Sequence, residues 1–334
     1  MAANPKIVIA GAGSIGCYIG GCLLLAGRDV RFLIRQRLAT ELAVHGLTIS
    51  DYSGRERKID FSRLLLDTSP SVMADADLIF VTVKSAATTE IAAQIAQLAK
   101  PGAVVVSFQN GVGNADTLRE ICHDKTVLPG MVGFNVVHLS AGKFHQASSS
   151  ALYLPPDNAA LSSLEQVDGL VVRPYCDMQG ILWGKLLLNL GNALNALCGL
   201  PLYEQLNDIR WRRLHAEMMD EALSVMTKAK ISPAKLTAIP ARALPYLLRL
   251  PTPIYRYLMA ANFTIDRRAR SSMAQDLDLG RHTEIDFLQG AVIALAKKHG
   301  VSTPLCRRVV DAIRQAETAK AGSPRLTPES LRAI

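Results

Sequence analysis

Lys6-Ile7-Val8-Ile9-Ala10-Gly11-Ala12-Gly13-Ser14-Ile15-Gly16 decides how the chain is read. The apolar run Ile7 to Ala10 reads as a buried parallel strand, and a helical pattern follows from Ser14 to about Ala26. Between them stand glycines spaced G-x-G-x-x-G. Gly11 makes the tight turn out of the strand, Gly13 lets backbone approach a diphosphate, and Gly16 lets the helix pack on the strand. With Ala12, Ser14 and Ile15 these glycines form a loop and helix N-terminus that offer N–H groups and a positive dipole end to phosphate. A glycine triplet alone is weak evidence. A strand before it, a helix after it and a second strand at Asp29–Ile34 make it a dinucleotide-binding signal.

The second strand selects the dinucleotide. A site for the form without a 2′-phosphate usually places Asp or Glu at this strand's end, to accept from the ribose hydroxyls. Here Val30-Arg31-Phe32-Leu33-Ile34 runs into Arg35, with Arg37 beyond. A carboxylate would repel a 2′-phosphate and a guanidinium binds one, so the reading is NADP(H), with Arg35 favoured. Two surface arginines are the plainer alternative.

The 334 residues suggest two domains, and a hydrophobic content of 49% supplies sizeable cores. No apolar run reaches the roughly 18–20 residues that span a membrane. The first strand begins almost at Met1, leaving no room for a signal peptide, so a cytoplasmic location and no membrane partner are expected. The six cysteines are scattered without a Cys-x-x-Cys pair, which suits reduced thiols and supports neither a disulfide framework nor a metal site. The net charge of +8 comes without alternating basic and aromatic residues. It fits steering of an anionic cofactor and substrate, and no nucleic-acid partner is expected.

Strands at Ala76–Val83, Ala103–Phe108 and Thr126–Gly130 alternate with helices at Thr88–Ala99 and Asn114–Cys122. That alternation predicts a Rossmann-type, doubly wound parallel sheet, with Gly11, Arg35, Lys84 and Asn110 at strand ends around one crevice. Residues 36–75 read as a polar, irregular excursion, and Phe134 to Val172 as antiparallel strands closing the sheet. After Cys176 the texture turns helical. The expected division is therefore an α/β domain over 1–176 and an all-α domain over 177–334.

One helix is expected over Ile181–Cys198. Lys185, Asn189 and Asn192, spaced i, i+4 and i+7, form a polar stripe on it among leucines. Helix–helix hydrogen bonding is the plain use for the asparagines alone. With the lysine on the same line, a buried anionic or polyhydroxyl ligand is the better reading. In Arg270–Gly290, Ser271 can cap a short helix ending at Gly280, and Thr283 a second one with Asp286 three residues on. On spacing alone, Glu284 and Asp286 merely complement a helix dipole. The segment 228–270, rich in Pro, Arg and Leu, has two open uses: a cover over the site, or a contact in a homodimer.

Together, Gly11-x-Gly13-x-x-Gly16, Val81-Thr-Val-Lys84, Gln109-Asn110-Gly111-x-Gly113, Trp183-x-Lys185-Leu-x-x-Asn189 and Ser271-Ser272-Met-x-Gln-Asp276…Thr283-Glu284-Ile-Asp286 resemble the ketopantoate reductase (2-dehydropantoate 2-reductase) family. The resemblance implies NADPH-dependent reduction of a small anionic 2-oxo acid, ketopantoate, to pantoate, the step before pantothenate. It implies that Lys185 donates the proton and contacts substrate, and that Lys84 and Arg35 bind cofactor. It further implies that Asn110 touches nicotinamide and substrate, that Asn189, Asn192 and Ser272 bind substrate, and that Glu284 orders cofactor or substrate hydroxyl. No metal is implied. The family typically has eight residues from the lysine to its second asparagine, then Pro; here Lys185 to Asn192 is seven, followed by Ala193, and a further asparagine downstream is replaced by Leu202. These departures leave two alternatives open, a reductase of a different 2-oxo acid and a non-catalytic NADP(H)-binding sensor.

Overall fold

A computed structural model describes residues 4–260 and 269–333; residues 261–268, within the segment left unassigned from sequence, lie outside the described residues. The chain divides into two compact units, Met1–Met178 and Gln179–Ile334.

The first unit opens with β1 (Lys6–Ala10), α1 (Ser14–Leu25), β2 (Asp29–Leu33), α2 (Gln36–His45), β3 (Leu47–Asp51), β4 (Glu56–Ile59) and β5 (Leu65–Asp67). It continues with β6 (Leu78–Val81), α3 (Thr88–Leu98), β7 (Val104–Ser107), α4 (Asn114–Ile121) and β8 (Thr126–Pro129). Six of these strands form one sheet in the order β5-β2-β1-β6-β7-β8, parallel at every pairing. This is the Rossmann-type sheet expected. Side chains alternate between its faces with period two. Ile7, Ile9, Phe32 and Phe80 enter one core, while Val8, Ala10, Ile79 and Val81 enter the other.

The intervening polar stretch is more ordered than its composition suggests. Residues 36–75 contain the exposed helix α2 with Leu42 buried, and β3 and β4 join a second sheet. After β9 (Met131–Val132), β10 (Val136–Ser140) and β11 (Lys143–Gln146) come β12 (Leu152–Leu154), α5 (Ala159–Leu164) and β13 (Val172–Pro174). These strands do not close the main sheet, contrary to expectation. They build two small mixed sheets, β10-β11-β3-β4 and β13-β12-β9, in which β11 lies parallel to β3 and β12 parallel to β13.

Helix α1 lies between the main sheet and the β3 sheet, and it is buried on nearly all sides. Adjacent glycines make this fit. A Cβ on Gly20 would come 2.7 Å from Phe32 Cζ of β2, and one on Gly21 would come 2.9 Å from Ile49 Cγ2 of β3.

The described residues of the second unit are helical. They form α6 (Met178–Asn189), α7 (Gly191–Cys198), α8 (Leu202–Asn207), α9 (Ile209–Lys228) and α10 (Leu244–Leu248). Then follow α11 (Thr252–Ala260), α12 (Ser272–Asp278), α13 (Gln289–His299), α14 (Pro304–Ala319) and α15 (Pro328–Ala333). The fully buried Arg212 of α9 ties down the described part of the 228–270 segment. Its guanidinium donates to Leu248 O at 3.0 Å, Leu250 O at 2.7 Å and Thr252 Oγ1 at 2.8 Å, and lies 4.2 Å from the Tyr255 ring centre. Among the described residues, no helix is long and apolar enough to cross a membrane.

Replacing Gly20 with Ala tests the sandwiching of α1. Alanine favours the helix by about 1 kcal/mol, but the added methyl must displace the buried Phe32 ring, an overpacking term of about 1–3 kcal/mol. The expected outcome is a lower melting temperature in calorimetry; an unchanged or higher one contradicts the packing described.

Candidate active site

In the first unit the site begins where β1 and β6 run side by side. The chain turns at Gly11 with φ +97°, and a Cβ there would come 2.7 Å from Val83 N. Thr82 Oγ1 donates to Gly11 O at 2.8 Å, tying the glycine turn to the end of β6. The N–H groups of Gly11 and Ala12 both donate to Leu33 O, at 3.2 and 2.9 Å, so these two residues shape the turn. Gly16 is confined by Thr82 Oγ1 and Ile9 Cγ2, at 2.6 and 2.8 Å from its missing Cβ.

Gly13 differs. A Cβ there would meet nothing closer than Gly11 O at 4.0 Å. The fold itself does not demand a glycine at that point, whereas a phosphate drawn against the backbone does. Behind it, α1 starts with Ser14, Ile15 and Gly16, with no side-chain cap and no acidic residue in its first turn. An uncapped N-terminus of a twelve-residue helix leaves donors and a positive dipole end for an anion. The residues present therefore fit a diphosphate.

Arg35 is exposed two residues past β2, with Arg37 also exposed in the first turn of α2. Lys84 and Asn110 each stand three residues past the ends of β6 and β7. The strand order thus brings Arg35, Gly11, Lys84 and Asn110 to the same edge of neighbouring strands β2, β1, β6 and β7.

Asn110 is fixed by a buried polar network that sequence reasoning missed. Its carbonyl accepts from Ser85 Oγ at 2.8 Å and from Asn114 Nδ2 at 2.7 Å. Gln109 Nε2 donates to Thr88 Oγ1 at 2.7 Å, Gln109 Oε1 accepts from Ser107 Oγ at 3.0 Å, and Thr88 Oγ1 donates to Asn114 Oδ1 at 2.9 Å. Gln109 and Asn114 were visible as amides flanking Gly111-x-Gly113. Their burial was not.

In the second unit the expected single helix over Ile181–Cys198 is broken at Leu190. The Leu190 carbonyl accepts from the buried Gln289 Nε2 at 2.8 Å. The next residue, Gly191, has the His215 ring against it: a Cβ would come 2.6 Å from His215 Cε1. A side chain entering the hydrogen-bond ladder at a glycine is a usual cause of a helix break. Burial pulls the His215 pKa down to about 4, so its ring is neutral. The break leaves Lys185 and Asn189 on α6 and Asn192 on α7.

Helix-to-helix hydrogen bonding is carried by Asn195, outside the predicted stripe. It is fully buried, donates to Leu200 O and Gln205 Oε1 at 2.9 Å each, and accepts from Ser271 N at 2.9 Å. Ser271 caps α12 as expected, accepting from Ala274 N at 3.1 Å, and its hydroxyl donates to Asn192 O at 3.0 Å. Ser272 is exposed on the first turn of α12.

Lys185 is the least conventional group. Burial pulls its pKa down to about 8, opposed by the charge of the Glu284 carboxylate. Glu284 stands not in an α-helix but at the start of a 3-10 turn, Ile285–Phe287, with α13 beginning at Gln289. The second helix predicted after Thr283 is thus delayed by one short turn. The arrangement offers a proton from an ammonium made more acidic by burial, with a carboxylate that restrains its loss. Among the described residues, no group of three or more His, Cys, Asp or Glu is placed to hold a metal ion.

Two family models match the chain: one described as ketopantoate reductase PanE/ApbA over residues 7–158, and one as its C-terminal part over residues 177–317. A Halobacterium salinarum protein named 2-dehydropantoate 2-reductase is 29% identical over 321 residues, covering 93% of this chain and 99% of that one. The crystal structure of a PanE/ApbA family ketopantoate reductase from Ralstonia eutropha is 27% identical with TM-score 0.81, covering 94% and 99% of the two chains. The ternary structure of D-mandelate dehydrogenase with NADH and anilino(oxo)acetate shares the fold, at TM-score 0.78 and 21% identity over 94% and 99%.

Replacing Gly13 with Ala separates a ligand's demand from the fold's. With open space around the new methyl, the melting temperature should change little, while dinucleotide affinity measured by calorimetry should fall about ten-fold or more, a loss of roughly 1.4 kcal/mol. Retained affinity removes Gly13 from the binding site.

Proposed function

Since the chain belongs to the ketopantoate reductase family, an oxidoreductase family, we propose that it reduces a small anionic 2-oxo acid with NADPH, converting 2-dehydropantoate to pantoate. The observation that carries this reading is Lys185, drawn down to about 8 by burial and opposed by Glu284. When bound, the nicotinamide supplies the hydride. As hydride reaches the carbonyl carbon, negative charge grows on the ketone oxygen; the Lys185 ammonium stabilises that charge and transfers its proton there. A pKa near the working pH suits a group that must be mostly protonated yet give the proton up readily. Glu284 keeps the ammonium charged before the transfer.

The cofactor half of the reading rests on Gly13 and the uncapped start of α1 for the diphosphate, and on Arg35 for a 2′-phosphate. Lys84 and Asn110 belong to the same set of strand ends. On the substrate side, Asn189, Asn192 and Ser272 supply polar groups. A reductase of another 2-oxo acid is favoured by one feature: Lys185 and Asn192 are seven residues apart where the family has eight, which shifts an amide expected to meet substrate.

Four measurements test the proposal. Following loss of reduced-nicotinamide absorbance with 2-dehydropantoate and a panel of branched and aryl 2-oxo acids, turnover is expected with at least one; none in a protein that binds NADPH removes the reductase reading. Lys185→Ala should lower kcat by about 10²–10⁴-fold with NADPH affinity retained. Because the reaction needs protonated Lys185, wild-type kcat should fall as pH rises through about 8; a flat profile there counts against Lys185 as the acid. Arg35→Asp should weaken NADPH binding far more than NADH binding, and an equal effect on both rejects the 2′-phosphate assignment.

A further inference from the structure

The turn that carries Glu284 is gripped by α14 on both flanks. Thr283, just before it, is buried; its N–H and its hydroxyl each donate to Glu317 Oε1 at 2.7 Å, and Glu317 Oε2 lies 3.2 Å from His282 Nδ1. Just after it, Asp286 accepts from Arg314 at 2.7 Å. Arg314 and Glu317 are three residues apart on α14, hence neighbours on one face.

The two grips are unequal. Arg314 and Asp286 are each more than half exposed, and exposed ion pairs contribute little. The Glu317 side chain is only 12% exposed. Burial pushes its carboxyl up, but the bonds from Thr283 and His282 outweigh that and hold it below the ordinary carboxylate range. Glu317 is therefore a charged acceptor, and its bonds belong to the stronger class. Helix α14 is itself anchored. The Glu221 carboxylate of α9 accepts from Leu305 N at 2.8 Å and Cys306 N at 2.9 Å, and Leu305, Val309, Ile313 and Ala316 are buried along one side.

We propose that Glu317 is a positioning residue for the reaction: by fixing Thr283 it holds the Glu284 carboxylate where it acts on Lys185. The inference rests on the assignment of Lys185 as the proton donor. With Glu284 displaced, the buried ammonium loses the charge that favours its protonated form, so its pKa falls. The ionisable groups around the turn include Glu317, Arg314, Asp311 and Arg307 on α14, Lys297 on α13, and His282, Glu284 and Asp286 on the turn itself; Glu284 is the charge that acts on Lys185.

The test compares Glu317→Ala with Glu317→Gln in the full-length protein. Glutamine lacks the charge, yet its amide oxygen can still accept from Thr283. Two readouts are taken: the alkaline limb of kcat, and the pH inflection of Lys185 acetylation by acetic anhydride, resolved by peptide mass spectrometry. The expected result for Ala is a roughly ten-fold lower kcat, with the limb and the labelling inflection both moved to lower pH, and for Gln a recovery of most of each. A purely structural role would lower the melting temperature and leave the inflection in place, which overturns the proposal. So does a Gln variant as impaired as Ala, since the charge and not the grip would then matter. The labelling needs no substrate. A wild-type protein without turnover on any 2-oxo acid would reject the proposed function, while the labelling would still decide whether Glu317 holds Glu284.

Discussion

A partly buried lysine whose ammonium form is disfavoured by its surroundings, and restored by one carboxylate, is the interaction on which the second unit's candidate chemistry depends. The shift of Lys185 from 10.5 to about 8 corresponds to roughly 3 kcal/mol in favour of the neutral amine. Without Glu284 the preference would be greater still. A lysine in that state is costly to a fold that uses it only for packing, because a leucine there would bury more favourably. The placement of Glu284 is therefore as much a part of the site as the lysine, and it depends on a turn whose own bonds reach α14.

The first unit shows the complementary situation, in which the fold and a ligand make separable demands on neighbouring residues. Gly11 is required by Val83, and Gly16 by Thr82 and Ile9. The N–H groups of Gly11 and Ala12 are occupied by Leu33 O. The Gly13 N–H is likewise taken by Gly11 O at 2.7 Å; what remains open is the space beside Gly13 and the first turn of α1. The motif is thus partly internal architecture. Its binding part is narrower than the eleven residues that announce it.

Much of the first unit was legible because its information is local. Parallel strands buried on both faces are short apolar runs, and β1, β2, β6, β7 and β8 all lie within a few residues of where those runs predict them. Helix α2 was missed because it exposes most of its surface and its apolar stripe is short, Leu38, Ala39 and Leu42. The strands after Phe134 were visible as strands, but their partners were not. The pairing of β11 with β3 joins residues about ninety positions apart, Lys143 with Thr48 for instance, and no local pattern encodes it. The lysine–asparagine stripe was legible by spacing. The break at Leu190 was not, because its causes are Gln289 and His215, on other helices. Nor did spacing single out Asn195, whose amide joins α7 to Leu200, Gln205 and Ser271.

These long-range causes converge on one short stretch. Thr283 to Gln289 carries Glu284, whose charge restrains Lys185, and ends in Gln289, whose amide holds the Leu190 carbonyl where α6 gives way to α7. The same seven residues therefore influence the proton affinity of the lysine and fix the break between Asn189 and Asn192. On an unbroken helix, positions 185, 189 and 192 would fall within roughly 60° of one another. Leu190 itself keeps helical backbone angles, and its N–H still donates to Leu186 O at 3.1 Å; beyond it, α7 is fastened to α12 through Asn195 and Ser271.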